Sequence, residues 1–225
     1  SQNLSNPVGS TGWFQGNTTV FSSQAGAPTA YIGANFNNTS GAGTISNWLF
    51  TPNISIKNGD VFTFYTRTVN APAFADRLQV RMSLNGASTN AGTTETSVGD
   101  FSTLLLDINP TLVPSGYPNA WTQYTVTISG VPTPTSGRLA FRYFVTSGGP
   151  SGANSDYIGI DEAKYTSTAV CSGTPAPGAT VSSTNPVCPG VNFTLSLATP
   201  GAGVNYQWQS SPDGTTWADI AGATN

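Results

Sequence analysis

Residues 77–84 read RLQVRMSL, and this stretch decides the fold class. Leu78, Val80, Met82 and Leu84 alternate with polar residues along it. A period of two over four or more residues is the pattern of a half-buried β-strand whose apolar side chains face a core. We therefore predict a strand over 77–84 that presents these four side chains to the protein interior.

The same alternation recurs along the first two thirds of the chain. Residues 157–161 (YIGID) have the pattern of a late strand that closes a domain, and residues 46–52 (SNWLFTP) that of a strand ending in a turn. Pro110 limits any helical turn within 104–112. Many antiparallel strands joined by variable loops favour an all-β fold, a two-sheet jelly-roll β-sandwich. The other predicted strands are 60–68, 121–128 and 138–145, with weaker ones at Val20–Phe21, Tyr31–Ala34, Ile45–Phe50 and Phe101–Leu106.

The composition is unusual for its low charge. Charged residues make up 8% of the 225 residues and aromatic residues 11%, with a net charge of −3. A disordered chain would combine few apolar residues with high net charge. The basic residues form no stripe of the kind that nucleic-acid binding needs, although Arg77 and Arg81 share one strand, as do Arg138 and Arg142. Low charge with abundant Thr, Ser, Asn and Gly is unlike a cytosolic enzyme, and no window is long enough for a transmembrane helix. We therefore expect a secreted protein that does not span a membrane.

A change of composition near residue 166 predicts a second module. Pro, Gly, Ser and Thr dominate residues 166–190, as in a linker or the first loops of a new domain. Trp208 follows Cys188 by twenty residues, which is typical of an immunoglobulin-like sandwich. Such folds run to about 100 residues. We predict a jelly-roll domain over 1–166 and a partial immunoglobulin-like β-sandwich over 167–225.

Several ordered motifs resemble a known family. The segments TGWFQGN, AWTQYTVTI and DYIGID, within residues 11–161, are similar to bacterial choice-of-anchor J domains, which are related to the cleaved-adhesin domains of surface haemagglutinins. Residues 170–225 resemble immunoglobulin-like repeats of surface proteins exported by type IX secretion in Bacteroidetes. The resemblance implies a non-enzymatic, multidomain bacterial adhesin, secreted or held at the cell surface.

Two departures from these families bear on assembly. Choice-of-anchor J domains usually begin with a further strand, which would precede Ser1. The immunoglobulin-like repeats usually continue with two more cysteines, which would follow Asn225. We favour the interpretation that the chain is part of a longer polypeptide. The alternative is that a neighbouring copy supplies the missing strand to an open sheet edge, which would build extracellular filaments head to tail.

The chain shows no catalytic pattern of the kind on which hydrolytic sites usually depend, although carboxylates distant in sequence could still meet in the folded chain. It contains no histidine, which excludes Ser-His and Cys-His nucleophile pairs. Asp161 and Glu162 are adjacent, and consecutive strand residues point to opposite faces, so they do not form a glycosidase pair by themselves. We therefore predict a protein that is not an enzyme.

A structural calcium ion is implied by the resemblance, because jelly-roll domains of this kind often hold one. Calcium takes carboxylate, amide and carbonyl oxygens. Asp161 is the first candidate ligand, with Asp156, Asn154 and Asp107 as helpers. The alternative, favoured because no dense Asp-x-Asp loop occurs, is that Asp161 accepts hydrogen bonds from a loop backbone while Asp156 and Asn154 form a turn.

The two cysteines, Cys171 and Cys188, both lie in the second module and fit an oxidising compartment. One possibility is that they form a disulfide with each other, worth about 3 kcal/mol for a loop of this length. In the repeats that this module resembles, each would instead pair with a cysteine outside the chain.

Aromatic residues in loops are candidates for a ligand surface. Trp13 and Tyr117 lie beside Gly or Pro, and we predict that they are exposed and bind ligand, whereas Trp48 and Trp121 lie within strand patterns and belong to a core. The sequence thus favours a structural surface adhesin whose partners are neighbouring copies of itself. The alternatives are a module that binds cell-surface glycans or proteins, and an accessory domain of a secreted hydrolase.

Overall fold

A computed structural model describes residues 1–168, 176, 178–200 and 205–224. The chain divides into two compact units, Ser1–Thr168 and Ala169–Asn225. Apart from two short 3-10 turns, Phe36–Asn38 and Pro114–Gly116, every regular element among the described residues is a β-strand. No helix in this part of the chain is long and apolar enough to cross a membrane.

The first unit contains twelve strands. They are β1 Gln2–Asn3, β2 Asn6–Val8, β3 Phe14–Gln15, β4 Ile32–Asn35, β5 Thr39–Phe50, β6 Ile54–Ile56, β7 Val61–Arg67, β8 Leu78–Ser83, β9 Thr103–Ile108, β10 Thr122–Thr127, β11 Thr135–Gly148 and β12 Tyr157–Thr166.

These strands form two antiparallel sheets. The first sheet has the order β1-β5-β11-β8-β9, with β2 also paired to β5 and β6 to β11. The second has the order β10-β7-β12-β4-β3. The sheets share one apolar core, in which the rings of Phe64 (β7) and Phe141 (β11) meet edge to face with centroids 4.8 Å apart. The predicted all-β, β-sandwich class is confirmed.

Long loops cover the outer face of each sheet. Residues 84–102 place Ala91 and Phe101 against Trp48 on the first sheet. Residues 16–31 place Phe21 and Tyr31 against the second sheet, where Tyr157 and Trp121 complete an aromatic cluster. Both faces of a strand such as β8 are therefore largely buried, and the strand is not half-exposed as its alternation predicts.

Most predicted strands are present, with some errors. Leu78, Val80 and Met82 lie in the core, but Leu84 lies beyond the end of β8 and is 39% exposed. Val20 and Phe21 do not form a strand, because they are part of the loop that covers the second sheet and pair with no strand. Residues 103–108 are strand β9 and not a helical turn.

A buried ion pair fixes the end of the first unit. Lys57 Nζ lies 2.6 Å from Asp60 Oδ1, and neither side chain is more than 11% exposed. Asp60 also accepts hydrogen bonds from the Tyr165 hydroxyl (2.6 Å) and the Thr168 backbone N–H (2.8 Å), while Lys57 Nζ donates to the Thr168 carbonyl. These contacts attach the residues after β12 to the turn before β7, and we call them the exit clamp.

The described residues of the second unit form two antiparallel strand pairs. β13 (Thr180–Ser182) pairs with β14 (Leu195–Leu197), and β15 (Gln207–Ser210) pairs with β16 (Ala218–Thr224). Cys188 is exposed and forms no disulfide with any described residue. Cys171 lies outside the described residues, so the pairing of the two cysteines stays a prediction.

Candidate functional site

A cleft opens between the two sheets of the first unit. Its volume is about 600 Å³ and its walls are largely apolar. We call it the interlayer cleft. Its principal lining residues are Trp13, Tyr31, Leu49, Phe141, Asp161 and Glu162.

The cleft exists because two neighbouring strands end at different places. β4 pairs with β12 only from Tyr157 to Ile160, whereas β12 continues to Thr166. The ladder between β12 and β7 is also irregular between Asp161 and Lys164, and Glu162 within it has a left-handed backbone (φ 48°). A non-glycine residue seldom adopts this conformation, and such residues are frequent at binding sites. The second sheet therefore leaves part of the core uncovered beside Glu162.

Trp13 forms one wall of the cleft. Its ring packs against the core, and the residue is only partly exposed. The indole Nε1 is buried and has no hydrogen-bond partner among the described residues. A buried donor without a partner costs about 1–3 kcal/mol, so this N–H would gain from any oxygen atom that came within hydrogen-bonding distance of it.

The two carboxylates at the cleft differ in their hydrogen bonds. Asp161 Oδ2 accepts the backbone N–H groups of Gln24 (2.7 Å) and Ala25 (3.2 Å), and its Oδ1 accepts that of Glu162 (2.8 Å). Asp161 therefore holds the loop over the second sheet, as the alternative interpretation of this residue predicts. The Glu162 side chain is exposed, and no described residue hydrogen-bonds to its carboxylate.

A second apolar cavity adjoins the cleft. Its volume is about 390 Å³, and it shares Ile32, Leu49, Phe141 and Ala163 with the interlayer cleft. It extends along β12 to Tyr165. Together the two cavities form an elongated opening on one flank of the sandwich.

The structure does not bring the four predicted calcium ligands together. Asp107 lies on β9 of the first sheet and accepts two hydrogen bonds from Arg77 (2.8 and 2.6 Å). Asn154 donates through its amide to the Thr146 carbonyl, and Asp156 donates its backbone N–H to Asp76. Among the described residues, no three His, Cys, Asp or Glu side chains are grouped as metal ligands. Calcium binding at Asp161 stays a prediction.

Tyr117 is not at the surface, and that part of the prediction is wrong. The residue is 2% exposed, and its hydroxyl lies 2.6 Å from Thr66 Oγ1, because the turn at Pro114–Gly116 directs the ring into the core. Burial raises the pKa of the Tyr117 hydroxyl well above its usual value. Tyr117 lines a different cavity, of about 650 Å³, among the loops that include Pro72 and Pro118. Trp13 and Tyr117 therefore do not share one site.

The sequence analysis missed a buried carboxylate, Asp76. It is fully buried, and it accepts hydrogen bonds from the Thr68 hydroxyl (2.6 Å), the Tyr143 hydroxyl and the Asp156 N–H (2.8 Å). All three donors are neutral, and burial raises the pKa of Asp76 to about 6. No local pattern identifies this residue, since its partners lie 8, 67 and 80 residues away.

Comparison with solved structures identifies the fold. The chain is similar to a cleaved adhesin domain of Lys-gingipain from Porphyromonas gingivalis, with a TM-score of 0.50 and 21% identity over 75% of this chain and 90% of that one. This likeness shows the fold, a β-sandwich like that of the adhesin domain. A second cleaved adhesin domain of Lys-gingipain matches with a TM-score of 0.47 and 17% identity over 74% of this chain and 88% of that one.

Other matches are more distant or more local. A carbohydrate-binding module of the β-sandwich superfamily matches with a TM-score of 0.42 and 16% identity, over 69% of this chain and 53% of that one. A family model described as a domain of unknown function (DUF8696) matches residues 177–225, within the second unit. No curated protein shows significant sequence similarity to the chain.

Proposed function

We propose that the chain is a non-enzymatic binding module of a bacterial surface or secreted adhesin, and that its first unit binds a glycan in the interlayer cleft. The buried, unpartnered indole N–H of Trp13 carries this proposal. An extracellular location, export by type IX secretion and membership of the choice-of-anchor J family are parts of the same proposal, supported by the sequence motifs and the low charge.

The walls and rim of the cleft suit a sugar ring. A pyranose has C–H groups on its faces and hydroxyl groups at its rim. Apolar walls such as Leu49 and Phe141 would contact the faces, the Trp13 N–H would donate to one hydroxyl, and the exposed Glu162 carboxylate would accept from another. A cleft of about 600 Å³ lies within the usual range for small-ligand sites, about 300–1,000 Å³.

The carboxylates favour binding over hydrolysis. Glycoside hydrolysis usually requires two carboxyl groups that act on one bond. Asp161 already accepts three backbone N–H groups, which leaves Glu162 as the cleft carboxylate able to meet a ligand. An isolated carboxylate can hold a hydroxyl but cannot serve as both acid and base or nucleophile.

The proposal is tested by screening the chain on a glycan array and measuring the best ligand by calorimetry. Trp13→Phe keeps an aromatic wall but removes the N–H, and we expect it to weaken binding about tenfold, the effect of one hydrogen bond in a desolvated site. Trp217→Phe is the matched control, since Trp217 is 58% exposed in the second unit. Equal affinities for Trp13→Phe, Trp217→Phe and the unaltered chain would refute the assignment of the cleft.

Filament assembly by strand exchange stays a separate prediction. Fibres in negative-stain electron microscopy of unreduced protein would support it. Dispersed particles would leave the glycan-binding or protein-binding module.

A further inference from the structure

The outer face of the first sheet concentrates the basic residues of the chain. The sequence contains seven Lys and Arg residues. Arg81 lies on β8, Arg138 and Arg142 lie on β11, and Arg77 directly precedes β8. Three of the four, Arg77, Arg81 and Arg142, form what we call the arginine cluster. This positive region contrasts with the net charge of −3 of the whole chain.

Cross-strand register builds the cluster. Trp48 on β5 is opposite Arg142 on β11, Arg142 is opposite Gln79 on β8, and Gln79 is opposite Asp107 on β9. These four side chains form one row across four strands, because directly paired residues project to the same face. Arg77 and Arg81 flank Gln79 at positions two residues before and after it, so they share that face.

Arg142 is a buried cation whose hydrogen-bond acceptors are neutral. It is 2% exposed, and its guanidinium donates to the Ser46 hydroxyl (3.0 Å), the Gln79 amide oxygen (3.4 Å) and the Glu95 backbone carbonyl. Its guanidinium carbon lies 3.8 Å from the centre of the Phe144 ring and 4.9 Å from that of the Trp48 ring. Cation–π contacts with two aromatic rings offset only part of the free-energy cost of desolvating the guanidinium group.

One carboxylate serves the three guanidinium groups. Asp107 is bound by Arg77, and it reaches Arg81 and Arg142 only through Gln79, whose amide nitrogen donates to Asp107 (3.0 Å) and whose amide oxygen accepts from Arg81 Nε (2.9 Å). The cluster thus holds three positive charges and one negative charge. Burial, and after it the charges of Arg81 and Arg77, lower the pKa of Arg142 to about 9.

We propose that the arginine cluster is a binding site for an oxyanion, specifically a sulfate group carried by an acidic polysaccharide. Arg81 and Arg77 are partly exposed and would contact the anion, while the charge of Arg142 beneath them would strengthen its binding. Arg81 donates through Nε and Nη1 to Gln79 and Phe101, which leaves its Nη2 available. Planar guanidinium groups with free donors bind such oxyanions through charge-assisted hydrogen bonds.

This site is independent of the interlayer cleft. Trp48 and Arg142 lie on the outer face of the first sheet, whereas Leu49 and Phe141, their neighbours in sequence, face the core and the cleft. Adjacent strand residues project to opposite faces, so a ligand at one site does not contact the other. The acidic polysaccharide is a second ligand, and the proposal does not depend on glycan binding at Trp13.

The test measures thermal unfolding and calorimetric binding of the full chain with sodium sulfate, dextran sulfate and uncharged dextran, at an ionic strength held constant with sodium chloride. We expect dextran sulfate to bind saturably and to raise the unfolding temperature, and dextran to have no effect. If dextran sulfate bound only through long-range electrostatic attraction to the protein, its affinity would not depend on which arginine is removed.

Arg81→Gln should therefore weaken binding of dextran sulfate about tenfold, because one charge-assisted contact is lost. Arg67→Gln is the matched control, since it removes the same charge from β7 of the second sheet. We expect its affinity to stay within about twofold of the unaltered chain, the effect of one more distant charge. Trp13→Phe should bind dextran sulfate normally.

Arg81 also donates to the Phe101 carbonyl, so Arg81→Lys is a second variant that keeps the charge and the fold but loses the planar fork. It should bind more weakly than the unaltered chain. Equal losses in Arg81→Gln and Arg67→Gln, or the absence of saturable binding, would overturn the proposal. Binding of sodium sulfate without binding of dextran sulfate would overturn the assignment to a polysaccharide.

Discussion

Asp76→Asn is expected to make the protein more stable above pH 6 and to remove a specific part of its pH dependence. The native pKa of Asp76 is raised from 3.8 to about 6, because the side chain is buried among neutral donors. The folded state therefore favours the protonated acid. Stability from this group is fully present below pH 4 and is lost as the pH rises through about 6.

The size of the effect follows from the shift. A difference of about two pKa units corresponds to about 3 kcal/mol, at 1.36 kcal/mol per unit. Asparagine keeps the shape and the neutral charge of the protonated acid. The Thr68 hydroxyl can receive its amide N–H, since that hydroxyl can donate instead to the Tyr157 carbonyl at 3.0 Å. The free energy of unfolding of Asp76→Asn, relative to the unaltered chain, should therefore rise by about 3 kcal/mol between pH 4 and pH 8.

Urea denaturation at pH values from 4 to 8 measures this difference directly. Asp100→Asn is the control, because hydrogen bonds from Ser88 and Asn85 hold the pKa of Asp100 below its usual value. That variant should differ from the unaltered chain by a nearly constant amount between pH 4 and pH 8, because the stability that a lowered pKa supplies is lost only as the pH falls below about 4. A difference between Asp76→Asn and the unaltered chain that does not change with pH would refute the assignment of a raised pKa to Asp76.

Two further variants test the packing of the first unit. Lys57→Ala should lower the free energy of unfolding at pH 7 by about 3–5 kcal/mol, because it leaves the buried Asp60 carboxylate without its cation. Urea denaturation measures this loss, with Lys164→Ala as an exposed control. A loss below about 1 kcal/mol would contradict the role of the exit clamp. Gly149→Ala should lower the unfolding temperature more than Gly130→Ala. Both glycines have left-handed backbones (φ 104° and 78°), but a Cβ on Gly149 would collide with the Gly41 carbonyl, whereas one on Gly130 would meet open space. Equal shifts in unfolding temperature would argue against the close approach of Gly149 to Gly41.

The alternation of residues predicted the strands because it reflects the pleat of the sheet. At 138–145 it also identified the core face, since Leu139, Phe141, Tyr143 and Val145 are all buried. The alternation could not show that Gln79 and Arg142 are buried on the other face of the sheet. The loop between β8 and β9 covers that face, and where a loop packs depends on contacts between residues that are distant in sequence. The grouping of arginines on two strands was visible, but their single shared carboxylate was not.

The candidate site was only partly predictable. Trp13 lies at the cleft, but the cleft itself arises because β4 ends its pairing with β12 at Ile160, and no sequence pattern records which strands become neighbours. Tyr117 was misplaced because a position beside proline in a loop is usually exposed. Here the ring turns inward, and the Thr66 hydroxyl satisfies its polar end.

The exit clamp has a mechanical consequence. A pull on the chain beyond Thr168 reaches the first unit at a point where a buried cation, a buried carboxylate and two backbone groups of Thr168 are joined. The terminal pairs of the ladder, Tyr165 with Phe62 and Thr166 with Val61, lie directly behind this point. Tension must break the clamp before it can peel β12 away from β7, so a pull along the chain meets its first resistance at this buried ion pair.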